Sequence, residues 1–110
     1  MLIDINSEGS QHVVSVLESR LDAASAVEFK ETVMRNIEEG NTNLIIDLKE
    51  VEFIDSSGLG ALVAILKSVS LNGTLAITGL HKKTEQIFKL TRMDTVFQIF
   101  PSVTEALEAA

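Results

Sequence analysis

The sequence predicts a single α/β domain, in which a mixed sheet of four to five strands packs against about four helices. Its 110 residues suffice for one domain that buries roughly two thirds of its unfolded surface. Segments with helical spacing of apolar residues alternate with short apolar runs that are typical of strands. The run from Leu44 to Leu48 is apolar on both faces except for Asp47, as expected of a central, buried strand.

The first half of the chain predicts a hairpin followed by a helix. Residues Leu2 to Asn6 and His12 to Leu17 are predicted strands on either side of a turn at Ser7 to Ser10. Ser25 to Glu28 has the spacing of a capping box and begins a helix that ends near Gly40. The apolar stripe of this helix consists of Ala26, Phe29, Val33 and Ile37.

The second half of the chain predicts three helices and two strands, with Gly73 and Pro101 as breaks. In chain order these elements are a helix from about Ser57 to Ser70, a strand from Thr74 to Thr78, a helix from about Thr84 to Leu90, a short edge strand from Val96 to Phe100, and a terminal helix. The terminal helix begins at a second capping box, Ser102 to Glu105.

Composition and charge narrow the classes of function. The net charge of −7 disfavours nucleic acid and anionic membranes as partners, because binding to either depends on clustered Lys and Arg. Without cysteine there is neither a disulfide framework nor a thiolate metal site. The start of the chain lacks the profile of a secretory signal, and no stretch is apolar enough to cross a membrane. We therefore expect a cytoplasmic protein.

The stretch from Ile54 to Gly60 is the most informative part of the chain. It places two hydroxyls and two glycines between a strand-like run and a helix-like run. At the start of a helix the first N–H groups have no partner within the helix, and the helix dipole is positive there. A phosphate is electrostatically favoured at such a turn. The rest of the chain supplies no catalytic residues around it, so the turn is interpreted as a switch.

The helix that follows this turn has an unusual second face. Its sheet-facing side is predicted to carry Leu59, Leu62, Val63, Leu66 and Val69. The opposite side carries Ser57, Ala61, Ala64, Ile65 and Ser68. A surface helix normally presents charged residues there, yet Lys67 is the only charge on this helix and lies between the two faces. Two interpretations remain open: another element of the domain covers this face, or it is a docking surface for a partner.

The turn and the strand before it resemble a known family. The run Phe53 to Gly60, preceded by Leu44 to Leu48, resembles the signature of anti-sigma factor antagonists of the STAS domain family. The resemblance extends over almost the whole chain, including Leu21-Asp22 and Asn72-Gly73. One departure lies before the first helix, where the family often has Gly-x-Leu-Asp and this chain has Ser19 to Asp22.

The resemblance implies partner switching by a non-enzymatic regulator. A serine-kinase anti-sigma factor, or a related kinase regulator, would phosphorylate Ser56, and a metal-dependent serine phosphatase would remove the phosphate. The unmodified form would bind the regulator, and phosphorylation would release it. No catalytic residue, cofactor, bound metal or nucleic acid is implied. The residues expected to bind the partner are Asp22, Asp55, Ser56, Ser57, Gly58, Leu59, Ala61, Ala64 and Ile65.

Each of these residues also has a purely structural interpretation. A serine at such a turn most often caps the helix, and we expect Ser57 to cap while Ser56 is modified. His12 and His81 flank different elements and are predicted to be surface residues. Asp47 is predicted to cap a strand end or form a turn.

Alternative functions are a constitutive interaction scaffold that uses the same helix face and a receiver-like phosphoacceptor domain. The latter requires a cluster of acids after the first strand to bind magnesium, whereas Asp4 stands alone there. A serine hydrolase is disfavoured, since no Gly-x-Ser-x-Gly elbow is present. A nucleotide-binding protein would need a lysine after a longer glycine loop.

Overall fold

The computed structural model describes residues 2–110 of the chain. These residues form four α-helices and seven strands, joined by loops. In chain order they are β1 (Ile3–Glu8), β2 (Gln11–Val16), β3 (Arg20–Leu21), α1 (Ala26–Glu38), β4 (Asn43–Asp47), β5 (Phe53–Ile54), α2 (Ser56–Val69), β6 (Thr74–Thr78), α3 (Lys82–Leu90), β7 (Gln98–Phe100) and α4 (Val103–Ala109). One turn of 3₁₀ helix, Met93–Thr95, lies between α3 and β7.

The main sheet has five strands in the order β1-β2-β4-β6-β7. The hairpin of β1 and β2 is antiparallel, and the other three pairs are parallel. The strands β3 and β5 form a separate, two-residue parallel pair. The α/β prediction of a mixed sheet with about four helices is confirmed. The small second sheet was not predicted, because two residues are too few to show a period-2 pattern.

The central strand β4 supplies both faces of the sheet with apolar side chains. Leu44 and Ile46 belong to the larger core, which also contains the buried side chains of α1, α2 and α3. Ile45 faces the other way and packs in a smaller cluster with Ala106 of α4. Strands between two helical layers need apolar residues at every position, and this explains the unbroken hydrophobic run.

The two predicted capping boxes, at Ser25 and Ser102, differ from each other in the structure. Ser102 caps α4 as predicted, its hydroxyl accepting a hydrogen bond from the Glu105 N–H at 3.3 Å. Ser25 is the N-cap residue of α1, but its side chain makes no capping bond. Its hydroxyl instead accepts from the Asp22 N–H at 3.1 Å. The predicted helix start at Ser25 is confirmed, but its side-chain capping bond is not formed, because the loop before α1 uses that hydroxyl.

The second face of α2 is largely covered by α1. Ala61 and Ile65 are only 5% and 0% exposed and belong to the core shared with α1. Ala64 is half-buried, and Ser57 remains exposed. The Ser68 hydroxyl lies 3.1 Å from the Met34 sulfur of α1. The expectation that Ala61 and Ile65 lie on an open docking surface is wrong, because their small or apolar side chains allow α1 to pack closely.

Replacing Ala61 with Arg should therefore destabilise the fold. Ala61 is only 5% exposed and packs in the core shared with α1, so a long, charged side chain there would crowd α1, and overpacking of this kind costs about 1–3 kcal/mol. Urea unfolding measures the loss. Gly60→Arg is the matched control, since Gly60 is exposed and an added Cβ there meets no neighbouring atom within 4 Å. Equal stability of the two variants would show that α1 does not cover this face.

Candidate functional site

The start of α2 is fixed by Asp55. This residue has extended backbone angles, with φ −102° and ψ −173°, and is the N-cap of the helix. Its Oδ1 accepts a hydrogen bond from the Gly58 N–H at 3.0 Å. A carboxylate at this position satisfies an otherwise unpaired N–H and complements the positive end of the helix dipole. The expectation that Ser57 caps this helix is wrong, because the carboxylate already occupies that role.

Ser56 and Ser57 are consequently the first two residues of the helix. Both are exposed, whereas Gly58 and Leu59, which follow, are buried. Since the cap is an aspartate, neither hydroxyl is needed to begin the helix. The Ser56 hydroxyl is thus accessible at a helix N-terminus, where an added phosphate is favoured by the dipole and opposed by the neighbouring Asp55 carboxylate.

The same carboxylate also ties a distant loop to the turn. Asp55 Oδ2 accepts a hydrogen bond from the Ala23 N–H at 3.2 Å, across 32 residues of sequence. The Asp55 N–H donates to the Leu21 carbonyl at 3.3 Å, which extends the pairing of β3 with β5. The loop after β3, which carries Asp22, is therefore held against the first turn of α2. The structure brings together two segments that the sequence predicted as one site.

Gly58 allows this close approach. A Cβ added at Gly58 would lie 2.2 Å from the Leu21 carbonyl oxygen and 2.9 Å from the Ile54 side chain. Leu59, the next residue, is 8% exposed and packs in the main core. Gly58 and Leu59 were expected to bind a partner; as buried residues they instead position the exposed residues before them.

The Asp22 carboxylate is occupied within the chain. It accepts hydrogen bonds from Arg20 Nε at 3.0 Å and from the Ala24 N–H at 3.1 Å, and the Ser25 hydroxyl lies 3.4 Å away. The Arg20 hydrogen bond is the main reason that the pKa of Asp22 lies below its ordinary value. Because its pKa is lowered, Asp22 is ionised at neutral pH. The residue is half-buried.

Arg20 is a basic side chain that pairs with Asp22 in this loop, and no motif in the sequence points to it. Its guanidinium carbon lies over the Phe53 ring, 4.4 Å from the ring centre, and this is within the range of a cation–π contact. The parallel register of β3 and β5 places Arg20 directly opposite Phe53. Because a two-residue strand gives no pattern in the sequence, the contact between these two residues was not predicted.

Other residues considered from the sequence lie away from this turn. Asp47 is buried at the end of β4 and accepts from the Thr78 hydroxyl at 3.2 Å, in keeping with the predicted structural role. His12 begins the parallel part of the sheet, whereas His81 follows the far end of β6 and contacts the Lys49 carbonyl. His81 is exposed as predicted. His12 is half-buried, and its Nδ1 has no hydrogen-bond partner among the described residues.

Residues 2–110 contain no group of three or more histidine or acidic side chains arranged to bind a metal ion. Across the same residues, no helix combines the length and apolar character required to span a membrane.

Gly58→Ala should weaken the fold around the site, whereas Gly60→Ala should not. The first substitution forces β3 away from α2 because of the 2.2 Å contact, and we expect a loss of about 2 kcal/mol or more. The second adds a methyl group in open space and should stabilise the helix by about 0.5–1 kcal/mol. Thermal or urea unfolding compares the two. Similar stability of both variants would mean that β3 does not press on this turn.

Arg20→Gln should raise the pKa of Asp22 towards its ordinary value, because it removes the main cause of the lowered pKa. In the wild type, the stabilisation from this pair is present at neutral pH and is lost as the pH falls through the lowered pKa. Proton NMR titration of the Asp22 carboxyl measures the midpoint. Arg35→Gln, which removes an exposed arginine elsewhere, should leave that midpoint unchanged.

Comparison with known proteins agrees with the fold and the motif. The family model of the STAS domain matches residues 4–106. A Thermotoga maritima protein proposed to be an anti-sigma factor antagonist is 33% identical over 98 residues, covering 87% of both chains. The anti-sigma-B factor antagonist of Listeria monocytogenes is 30% identical over 99 residues, covering 88% of this chain and 86% of its own.

Solved structures extend the similarity to three dimensions. The crystal structure of an anti-sigma factor antagonist from Mycobacterium paratuberculosis superposes with a TM-score of 0.90 at 25% identity, covering 98% of this chain and 92% of the other. The family match over residues 4–106 agrees with the motif at the start of α2 and with the five-stranded mixed sheet. This chain therefore belongs to the STAS domain family.

Proposed function

We propose that this protein is a partner-switching regulator controlled by phosphorylation of Ser56. In its unphosphorylated form it binds a serine-kinase anti-sigma factor or a related kinase regulator, and it is released when that kinase modifies Ser56. A metal-dependent serine phosphatase resets it. The chain itself acts as a binding protein, and it is a substrate of the kinase only at the Ser56 hydroxyl.

The observation that carries this proposal is the position of the Ser56 hydroxyl. It is exposed on the first turn of α2, and the cap that fixes this turn is a different residue, Asp55. A kinase can therefore modify the hydroxyl without disrupting the helix start. Membership of the STAS domain family and similarity to an anti-sigma-B factor antagonist support the same function.

The residues available to a partner are the exposed ones at this turn. Ser56 and Ser57 lie next to the loop that carries Asp22, which the Asp55 carboxylate holds in place. Beside Ser57 a shallow groove runs between α1 and α2, lined in part by Val27, Lys30 and Gly60. We propose that the regulator covers this turn and the mouth of the groove.

The negative charge of a phosphate on Ser56 is sufficient to release the regulator. A phosphate adds about −1.5 to −2 charges at neutral pH. A regulator that packs against the neutral hydroxyl would have to desolvate this charge next to the Asp55 carboxylate. Even a partial penalty of about 3 kcal/mol weakens binding by roughly a hundredfold. Because Asp55 remains the cap, the fold does not need to change.

Ser56→Ala should bind a serine-kinase anti-sigma factor of the source organism as tightly as the unmodified wild type does, and it should resist release by ATP. Ser56→Asp adds one negative charge and should bind about tenfold or more weakly, since part of the phosphate's desolvation penalty remains. Isothermal titration calorimetry with the purified regulator measures both affinities. Mass spectrometry of the protein from its own cells should find phosphate on Ser56.

The control for added charge is Ser10→Asp, an exposed serine in the turn between β1 and β2. It should bind as the wild type does. If Ser56→Asp bound as tightly as Ser10→Asp and no phosphate were found on Ser56, the proposal would fail. Binding of the regulator by all variants would then indicate the constitutive scaffold.

A further inference from the structure

We propose that Arg20, stacked on the ring of Phe53, is the residue of the β3 loop that contacts the regulator, by receiving one of its carboxylates. In this arrangement Asp22 positions Arg20 and does not itself face the partner. The inference rests on the proposed function, and it assigns the chemistry of the partner surface next to Ser56.

Asp22 has little capacity left for a partner. A carboxylate can accept about four hydrogen bonds. Donors from Arg20, Ala24 and Ser25 already lie within 3.0–3.4 Å of the oxygens of Asp22. Only 21% of its side chain is exposed. A basic residue of a partner would therefore find at most one acceptor position on this carboxylate unoccupied.

Arg20, in contrast to Asp22, has most of its hydrogen-bonding capacity left for a partner. Its side chain is 60% exposed, and Asp22 engages only its Nε. A guanidinium has five N–H donors, so the four on its two terminal nitrogens are left for other acceptors. Their fork geometry suits a carboxylate, which can accept two parallel hydrogen bonds.

The guanidinium is also held in place before any partner arrives. The Asp22 carboxylate holds it through Nε, and the Phe53 ring lies 4.4 Å from its central carbon. Phe53 is itself fixed by the pairing of β5 with β3 and is 38% exposed. An arginine that is already ordered loses less side-chain entropy on binding. Arginine and aromatic residues are also frequent among the residues that dominate interface energy.

This pair is linked to the turn that carries the proposed switch through Asp55. Phe53 precedes the Asp55 cap by two residues, and the Asp55 carboxylate binds the N–H of Ala23 in the Arg20 loop. A protein seated on the Ser56 hydroxyl would therefore reach Arg20. A carboxylate of a protein is the ligand that the guanidinium fork suits, and the net charge of −7 disfavours nucleic acid and anionic membranes as alternatives.

The test measures binding of the purified serine-kinase anti-sigma factor to variants of the Ser56→Ala chain. Arg20→Gln should weaken binding at least tenfold. Arg35→Gln removes the same charge from an exposed position of α1 and should change binding less than twofold. If the Arg20 and Arg35 variants bound equally tightly while the Ser56→Ala parent still bound, the inference would be overturned and the proposed function would stand.

The role of Asp22 is tested by a double-mutant cycle. Asp22→Asn should weaken binding in the Ser56→Ala parent, because Arg20 loses its anchor, and should have almost no further effect once Arg20 is Gln. An equal loss in both backgrounds would show that Asp22 contacts the regulator directly, and this too would overturn the inference.

Thermal unfolding separates binding from folding. If Arg20→Gln proves unstable, Arg20→Lys retains the charge but loses the fork and the stacking geometry. With native stability, it should still bind at least threefold more weakly than the parent; unchanged affinity would overturn the inference. If the Ser56→Ala parent bound no regulator, the proposed function would fail and the inference would fall with it.

Discussion

The site depends on the two oxygens of the Asp55 carboxylate. One accepts from the Gly58 N–H and begins α2, and the other accepts from the Ala23 N–H and holds the loop after β3. A single side chain thereby fixes both the helix start and the segment that lies against it. A serine cap would offer a single oxygen, whereas each of the two carboxylate oxygens accepts from a different segment.

This arrangement separates the residues that build the turn from those that a partner can touch. Gly58 and Leu59 face inwards and determine how closely β3 and the core approach the helix. Ser56 and Ser57 face outwards and have no part in capping. A hydroxyl that no structural bond requires can gain and lose a phosphate repeatedly, which is what a reversible switch needs.

The charges around the turn are balanced in a way that suits such a switch. Asp55 is neutralised in part by two N–H donors and the helix dipole, and Asp22 by Arg20. The β3 loop therefore presents an ordered cation, Arg20, and Lys30 lines the groove beside Ser57, while the two hydroxyls are neutral. A phosphate at Ser56 would add negative charge next to the Asp55 carboxylate, so that a regulator that fits the neutral hydroxyl would be repelled by the modified form.

The sequence by itself determined the class of fold, most of its elements and the family motif that contains Ser56. Long apolar patterns report burial directly, as in β4 and β6, and the order of residues around Ser56 is sufficient to identify the family. Local pattern failed where two groups compete for one role: both Asp55 and Ser57 are good caps, and only the path of the chain after β5 selects Asp55.

Only the tertiary structure decided which residues meet across long stretches of chain. The second face of α2 could equally be covered or open, until the packing of α1 buried Ala61 and Ile65. The pairing of Arg20 with Phe53 depends on two strands of two residues each, which carry no periodic signal. Contacts of this kind arise from the assembly of the whole core, so no window of sequence contains the information that specifies them.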